Sequence, residues 1–440
     1  MMEPDLVLVG GGFRAATFLA SAPELLAHRV AVFERGTVFG PGGFADYAIT
    51  STSIGSRFLK ELSATGPFAA LRDDPLVARV AGAESPVPMA HLATALGRVG
   101  TAVAAALGPG RLALGTEVAA LDVVEEGSAV LVRLADGRTV RSRNAVIATG
   151  RTERPHAELA PWRAKVRRSA QIISRSGRDA LRRELAALGR PGGDGGRIVV
   201  AGASHSAMSV LRVLLELFDE IRTTDPGFRP PAVDVLQRSA ARLVHPGLAE
   251  ARRDYVEGRE RAADPATDVC PETGIVFRDS GLRHESRDLY CALWDGRIPG
   301  ARLVRTGRLA EAADLLDDAA LVVQALGYHG HAPDVLIDGR PARPSGSPER
   351  FAHTDDGTAL IAGRPVPALS VLRVEPTPYA LRDHAVYGSG LYGRLAGRLL
   401  ARLEADAGPL AAAVPPAVAA SPPPSPPSSP SPSLPQEIAV

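Results

Sequence analysis

A glycine triplet at the end of a four-residue apolar run constrains this chain more than any other feature. Leu6 to Val9 leads into Gly10-Gly11-Gly12, then an Ala-rich apolar stretch at helical spacing from Ala15 to Leu26, then a second apolar run, Arg29 to Phe33. Strand, glycine turn, helix and strand in that order open a parallel βαβ unit. The turn fits G-x-G-x-x-A, with Gly10, Gly12 and Ala15 at the fixed positions. Gly10 permits the tight turn, Gly12 lets backbone approach a pyrophosphate, and Ala15 keeps the helix close to the sheet. The helix N-terminus then faces the phosphate charge. Glu34 closes the second strand, with Arg35 next to it, and its carboxylate is placed to accept hydrogen bonds from an adenosine ribose. An acid at that point disfavours a 2′-phosphate, so FAD or NAD is expected at this turn rather than NADP.

A second unit of the same kind begins near residue 196. Arg197 to Ala201 reads as a strand, Gly202 to Ser206 as a turn, Ala207 to Phe218 as an apolar helix, and Val233 to Leu236 as the next strand. Ser204 stands where such turns carry their middle glycine, and Ala207 where they carry the last. After the second strand comes Gln237-Arg238-Ser239 in place of an acid, which suits the 2′-phosphate of NADPH through charge-assisted hydrogen bonds. His205 reads as a local hydrogen-bonding residue.

Between the two units, segments 112–124 and 128–141 form an expected antiparallel meander, with turns at Glu126-Gly127 and Asp136-Gly137. Ala145 to Ala148 is a short buried strand stopped by Thr149-Gly150. Gly189 to Gly196 reads as a linker, and Leu321 to Leu326 is a further strand ending at Gly327. Eleven of the 37 prolines fall within the last 32 residues, interleaved with Ser and Ala. Such a segment buries too little apolar surface to offset its ordering entropy, so 408–440 is expected to be a disordered tail.

Composition removes several classes of function. Fifty basic residues against 49 acidic ones leave a net charge of +1, which gives no footprint for a nucleic acid or a charged membrane surface. Cys270 and Cys291 are the two cysteines, too far apart for a CxxC redox pair or a thiolate zinc site, and the histidines lack metal-ligand spacing. No metal is expected. With no basic leader and no uncharged run of 18 apolar residues, a soluble cytoplasmic protein is expected. Two of the fifty basic residues are Lys, Lys60 and Lys165. A Lys within an apolar segment of so Arg-rich a chain invites a specific role, such as pairing with a substrate carboxylate.

Several short segments carry a resemblance in their order. After the first βαβ unit comes Ser56-Arg57-Phe58-Leu59-Lys60-Glu61-Leu62, then Arg72-Asp73-Asp74-Pro75; further on stand Ala148-Thr149-Gly150, Arg168-Ser169-Ala170, Ala325-Leu326-Gly327-Tyr328 and Ala368-Leu369-Ser370-Val371-Leu372-Arg373. With two nucleotide turns and no CxxC, the chain resembles the flavin-dependent N-hydroxylating monooxygenases, relatives of the ornithine and lysine hydroxylases of siderophore pathways, over roughly residues 5 to 403. The resemblance implies an α/β fold of two dinucleotide-binding Rossmann-like domains. One is a discontinuous FAD domain (1–190 and 328–405) carrying much of the substrate site, and the other an inserted NADPH domain (191–327). It implies cofactor contacts from Gly10, Gly12, Ala15, Glu34, Arg35, Lys60 and Gly150, then from Gly202, Ser204, Ser206, Arg238 and Ser239, and from Tyr328 and Ser370 near the flavin, with Lys60 also on the substrate. The implied activity is FAD- and NADPH-dependent hydroxylation by O2 of the amine nitrogen of an amino acid or related small amine, through a C4a-hydroperoxyflavin, in a chain that could form a homo-oligomer. Two other readings stay open: an NADPH-dependent flavoprotein reductase or dehydrogenase that inserts no oxygen, and a non-catalytic nucleotide-binding flavoprotein.

Overall fold

Alternation along the first strand decides how the first unit is layered. In Leu6–Val9, Leu6 and Leu8 enter one core and Val7 and Val9 another, as the two-residue side-chain period of a strand requires. A strand buried on both faces belongs inside a covered parallel sheet. The computed structural model, which describes residues 3–190, 196–347, 350–372 and 389–405, shows that sheet. Its six strands run in the order Thr358–Ile361, Arg364–Val371, Asn144–Ile147, Leu6–Val9, Val30–Glu34, Leu112–Leu114. Every pairing is parallel except the one at the Thr358–Ile361 edge.

One face carries the helices Phe13–Ser21, Met89–Leu107 and Ser389–Ala405. Among the described residues Met89–Leu107 is the helix long and apolar enough to cross a membrane, and here its apolar stripe is buried in this core. The other face carries a second sheet, Val118–Val124, Ala129–Leu134 and Thr139–Ser142, with turns at the two expected positions. Two findings differ from the expectation there. Leu112–Leu114 leaves the meander and becomes the edge strand of the parallel sheet. The meander in turn gains Asp334–Ile337, which pairs in parallel with Val118–Val124.

The second unit is a five-stranded, wholly parallel sheet in the order Val166–Arg168, Ala319–Gln324, Arg197–Ala201, Ala232–Gln237, Ala301–Arg305. Alternation recurs: Ile198 and Val200 face the helices Arg178–Leu188, His205–Thr224 and His284–Trp294, while Val199 and Ala201 face Leu309, Ala312 and Leu316. The boundary expected at 190 is therefore displaced. Val166–Arg168 pairs within the second sheet, and Ile172, Leu181 and Leu185 pack in its core, so the second unit takes residues from about 166 onward. The segment Val166–Arg168 is three residues with two arginines at the edge of its sheet, too short and polar to announce itself as a strand. Residues after 328 return to the first unit, as a discontinuous domain requires; the chain crosses between the units twice, and Arg151–Thr152 pairs antiparallel with His329–Gly330 at the crossing. The Pro-rich tail and Arg373 lie outside the described residues.

Both glycine turns close in the same way. Gly10 and Gly202 have φ of +102° and +118°, a backbone region open to glycine. A Cβ on Gly10 would lie 2.7 Å from the Ala148 carbonyl oxygen, and one on Gly202 would run into that of Ala325. Those alanines end the strands Asn144–Ile147 and Ala319–Gln324, and their N–H groups donate to Val9 and Ala201 at 2.7 and 2.8 Å. Gly10→Ala and Gly202→Ala should each combine backbone strain with a carbonyl clash and cost about 2–4 kcal/mol. Thermal unfolding of each variant should start below that of the parent, and an unchanged transition would refute this account of the turns.

Candidate functional site

The two helices that follow the turns begin uncapped. Gly12 and Ser204 occupy the N-cap positions with nearly the same backbone (ψ −174° in both), neither makes a side-chain cap, and no acid lies in either first turn. The free N–H groups and the positive end of the helix are left for an external anion. In the first unit they face a cavity of about 770 Å³. A Cβ built on Gly12 would meet nothing within 4 Å, because the space beside it is that cavity. A dinucleotide fits this arrangement: the cradle is open at Gly12, and the anion donors are in place.

At the cavity's edge Glu34 is held by backbone. The Gly11 N–H donates to its Oε2 at 2.5 Å and the Gly36 N–H to its Oε1 at 2.6 Å. This fixes the carboxylate at the foot of the turn, where a ribose would lie. Arg35, Thr116, Glu117 and Val118 continue that wall. Deeper in, the wall turns aromatic. Phe13 stacks on Phe44 with centroids 5.0 Å apart, Phe58 meets both edge-on, and Tyr47 leans on Phe44. All four line the cavity. Aromatic residues make up 5% of this chain, so four of them on one wall form a concentrated apolar surface.

The cavity extends to the second unit, reaching His205, Ser206 and Ser209 at the start of His205–Thr224 and Tyr328 on the returning segment. His205 Nε2 lies 3.1 Å from the Gly281 carbonyl, which can only accept, so Nε2 carries the proton and Nδ1 is an acceptor. Burial, with Arg283 nearby, pushes the imidazole down to about 4, and it is neutral at pH 7. Tyr328 and Tyr47 meet oxygen to oxygen at 3.4 Å, and burial pushes both phenols above their ordinary range. A smaller cavity of about 320 Å³ adjoins the first and shares Tyr47, Ile49, Ser51, Thr52 and Ser209 with it. Charged groups of both signs line it, among them Arg212, Glu216 and Glu285, beside apolar Met208, Val213 and Leu289.

Of the residues singled out from sequence, Gly10, Gly12, Glu34, Arg35, Gly150, Ser206 and Tyr328 come together on the larger cavity. Ala15 is fully buried behind the turn, where a small residue keeps helix and sheet close. Gly202 shapes the second turn from below, and Ser204, Arg238 and Ser239 are exposed at the sheet edge next to it, off the cavity wall. Lys60 and Ser370 are placed differently from expectation. Lys60 caps the short helix Ser56–Leu59 and is exposed; its segment reaches the cavity through Phe58, which a helix turn points elsewhere. Ser370 is fully buried in the first sheet, and its hydroxyl accepts from Arg398. Phe13, Phe44, Tyr47 and Glu153 were not singled out; the scarcity of aromatic residues near the turn was the available signal for the first three.

Neither a protein-family model nor a curated protein matches the chain. Solved structures do. An ornithine N-hydroxylase from Kutzneria sp. 744, with reduced FAD, NADP+ and L-ornithine, superposes with a TM-score of 0.55 at 17% identity, over 92% of this chain and 100% of that one. A cadaverine monooxygenase of desferrioxamine biosynthesis from Erwinia amylovora, bound to FAD, gives 0.55 at 13% identity, over 92% and 95%. A protein named OTEMO, in complex with FAD and NADP, gives 0.55 at 13% identity, over 92% and 86%. The chain therefore has the two-domain α/β fold of these proteins.

Two outcomes follow for the site. Gly12→Ala should leave stability within about 0.5 kcal/mol of the parent, since its φ of −73° is ordinary and its Cβ meets open space, in contrast to Gly10→Ala. A large loss of thermal stability in Gly12→Ala would contradict the open cradle. His205 is neutral in the fold and titrates near 6.5 when unfolded, so it contributes stability above pH 6.5 that is lost as pH falls through about 4. In His205→Gln the acid limb of a stability–pH curve should flatten across that window; an unchanged limb would show that His205 does not drive it.

Proposed function

We propose that this protein is an FAD- and NADPH-dependent monooxygenase that hydroxylates the amine nitrogen of a small amine or amino acid. One observation carries the reading: a single cavity runs from the phosphate cradle and ribose acid of the first unit to the helix start of the second. That path suits a flavin dinucleotide lying on the first unit with its ring end turned toward an electron donor held by the second. The similar structures support it, since they include an ornithine N-hydroxylase and a cadaverine monooxygenase and are described with FAD or NADP.

In this reading the uncapped helix start at Gly12 holds the pyrophosphate, and Glu34 accepts from the adenosine ribose. Phe13, Phe44, Phe58 and Tyr47 shield the reacting end from water. Ser204 and Ser206 serve the phosphates of NADPH, and exposed Arg238 and Ser239 its 2′-phosphate. The smaller cavity, joined to the first at Tyr47, holds the amine. Bound FAD supplies the oxygen-activating chemistry and NADPH the hydride.

The purified protein should be yellow, lose that colour with NADPH in the absence of oxygen, and yield a hydroxylamine when oxygen is admitted with ornithine, lysine or cadaverine. Reoxidation without amine oxidation for any of them would favour a reductase, and a colourless protein that takes up no FAD would overturn the reading. Arg238→Ala should raise the KM for NADPH about tenfold, the loss of one charge-assisted hydrogen bond, and leave that for NADH unchanged.

A further inference from the structure

The second unit ends its second strand on an amide where the first unit ends it on an acid. The Gly10 N–H donates to the Phe33 carbonyl at 2.8 Å, and the Gly202 N–H to that of Leu236 at 3.1 Å. The residues that follow those carbonyls are therefore equivalent, and Gln237 occupies the place of Glu34. An acid there would take the ribose hydroxyls of a dinucleotide. Gln237 is turned inward instead and is 2% exposed. Its Nε2 lies 2.7 Å from the Ser239 carbonyl and 2.8 Å from the Tyr290 hydroxyl. A carbonyl can only accept, so the group facing it is the NH2, and both of its protons are committed. Its Oε1 is buried as well, which leaves nothing for a ribose.

Tyr290 holds the other side. It is fully buried on His284–Trp294, and its hydroxyl, having accepted from Gln237, donates to the Arg259 carbonyl at 2.7 Å. The same carbonyl accepts the Ala241 N–H at 3.1 Å, and the Arg261 N–H donates to the Ala241 carbonyl at 2.8 Å. The turn after the strand is thus fastened at Ser239 and at Ala241, and the two fastenings meet at one phenol. Within that turn Arg238 and Ser239 are exposed, a guanidinium and a hydroxyl that suit a phosphate.

We infer that Gln237 and Tyr290 are positioning residues for coenzyme choice: they hold the Arg238–Ser239 turn in the shape that takes the 2′-phosphate of NADPH, and so select it over NADH. The inference rests on the NADPH reading and adds to it two residues that act from behind the turn. A guanidinium and a hydroxyl on a loose turn must be ordered when a phosphate binds, and the ordering is lost from the affinity. A turn that is already fastened carries no such loss. The effect is confined to the phosphate, because NADH offers the turn an uncharged ribose hydroxyl in its place. Gln237 also keeps a negative charge away from the site. A carboxylate at that position would repel the phosphate and could not donate to the Ser239 carbonyl.

Calorimetric titration of the full-length protein with adenosine 2′,5′-bisphosphate and with adenosine 5′-monophosphate tests this without any turnover. The parent should bind the bisphosphate more tightly. Tyr290→Phe removes one hydroxyl from a fully buried site and should weaken the bisphosphate about fivefold, the worth of one hydrogen bond, with the monophosphate held as before. Gln237→Met keeps the length of the side chain but removes both donors. It should show the same selective loss to a larger degree, and it carries the test if Tyr290→Phe does not fold. Adding Tyr290→Phe to Arg238→Ala should cost little beyond Arg238→Ala alone, since Tyr290 acts through that turn. Equal weakening of both ligands in the single variants, unchanged affinities, or losses that add fully in the double variant overturn the positioning role alone. A parent that binds the two ligands equally overturns the NADPH reading and the positioning role with it.

Discussion

Each half of this molecule is organised around one contact, between the α-carbon of a turn glycine and the carbonyl of a strand-ending alanine. Gly10 lies against Ala148 and Gly202 against Ala325, at separations that leave no volume for a side chain. The contact fixes how closely strand, turn and return strand approach one another, and so where the following helix starts. Because both helices start without a side-chain cap or an early acid, each presents unsatisfied donors at a defined place. The Glu34 carboxylate is positioned by the same turn, through the Gly11 N–H.

The units differ in what surrounds the turn. In the first, the helix start opens into the large cavity, and aromatic residues from three separate segments close around it. In the second, Ser204, Arg238 and Ser239 lie on an exposed edge, and it is the next residues of the helix, Ser206 and Ser209, that reach the shared cavity. The first turn thus opens into an enclosed space and the second onto an exposed one.

Much of this was legible in the sequence because it is local. The strand-turn-helix-strand order at residues 6–34 and again at 197–237 is written in short-range spacing, and the structure keeps both orders, with the strands within about a residue and the helix ends shifted by up to six. What was not legible depends on partners distant along the chain. Val166–Arg168 is a strand because Ala319–Gln324 pairs with it. Leu112–Leu114 satisfied a hairpin pattern, yet its partner is Val30–Glu34. Lys60 stood out by composition, while its neighbour Phe58, ordinary in sequence, faces the cavity. Gln237 and Tyr290 lie 53 positions apart, and no spacing rule connects them.

The short pairing of Arg151–Thr152 with His329–Gly330 also governs how the chain is threaded. It stitches the entrance and the exit of the second unit together, so that unit hangs from the first as a closed loop whose mouth is already fastened. With the mouth fixed, the host bears the closure entropy of the insertion at one place, and that entropy grows slowly with the insertion's length. For the same reason the gene segment between those strands is the natural place to cut: the two ends left behind are neighbours, ready to be joined by a turn.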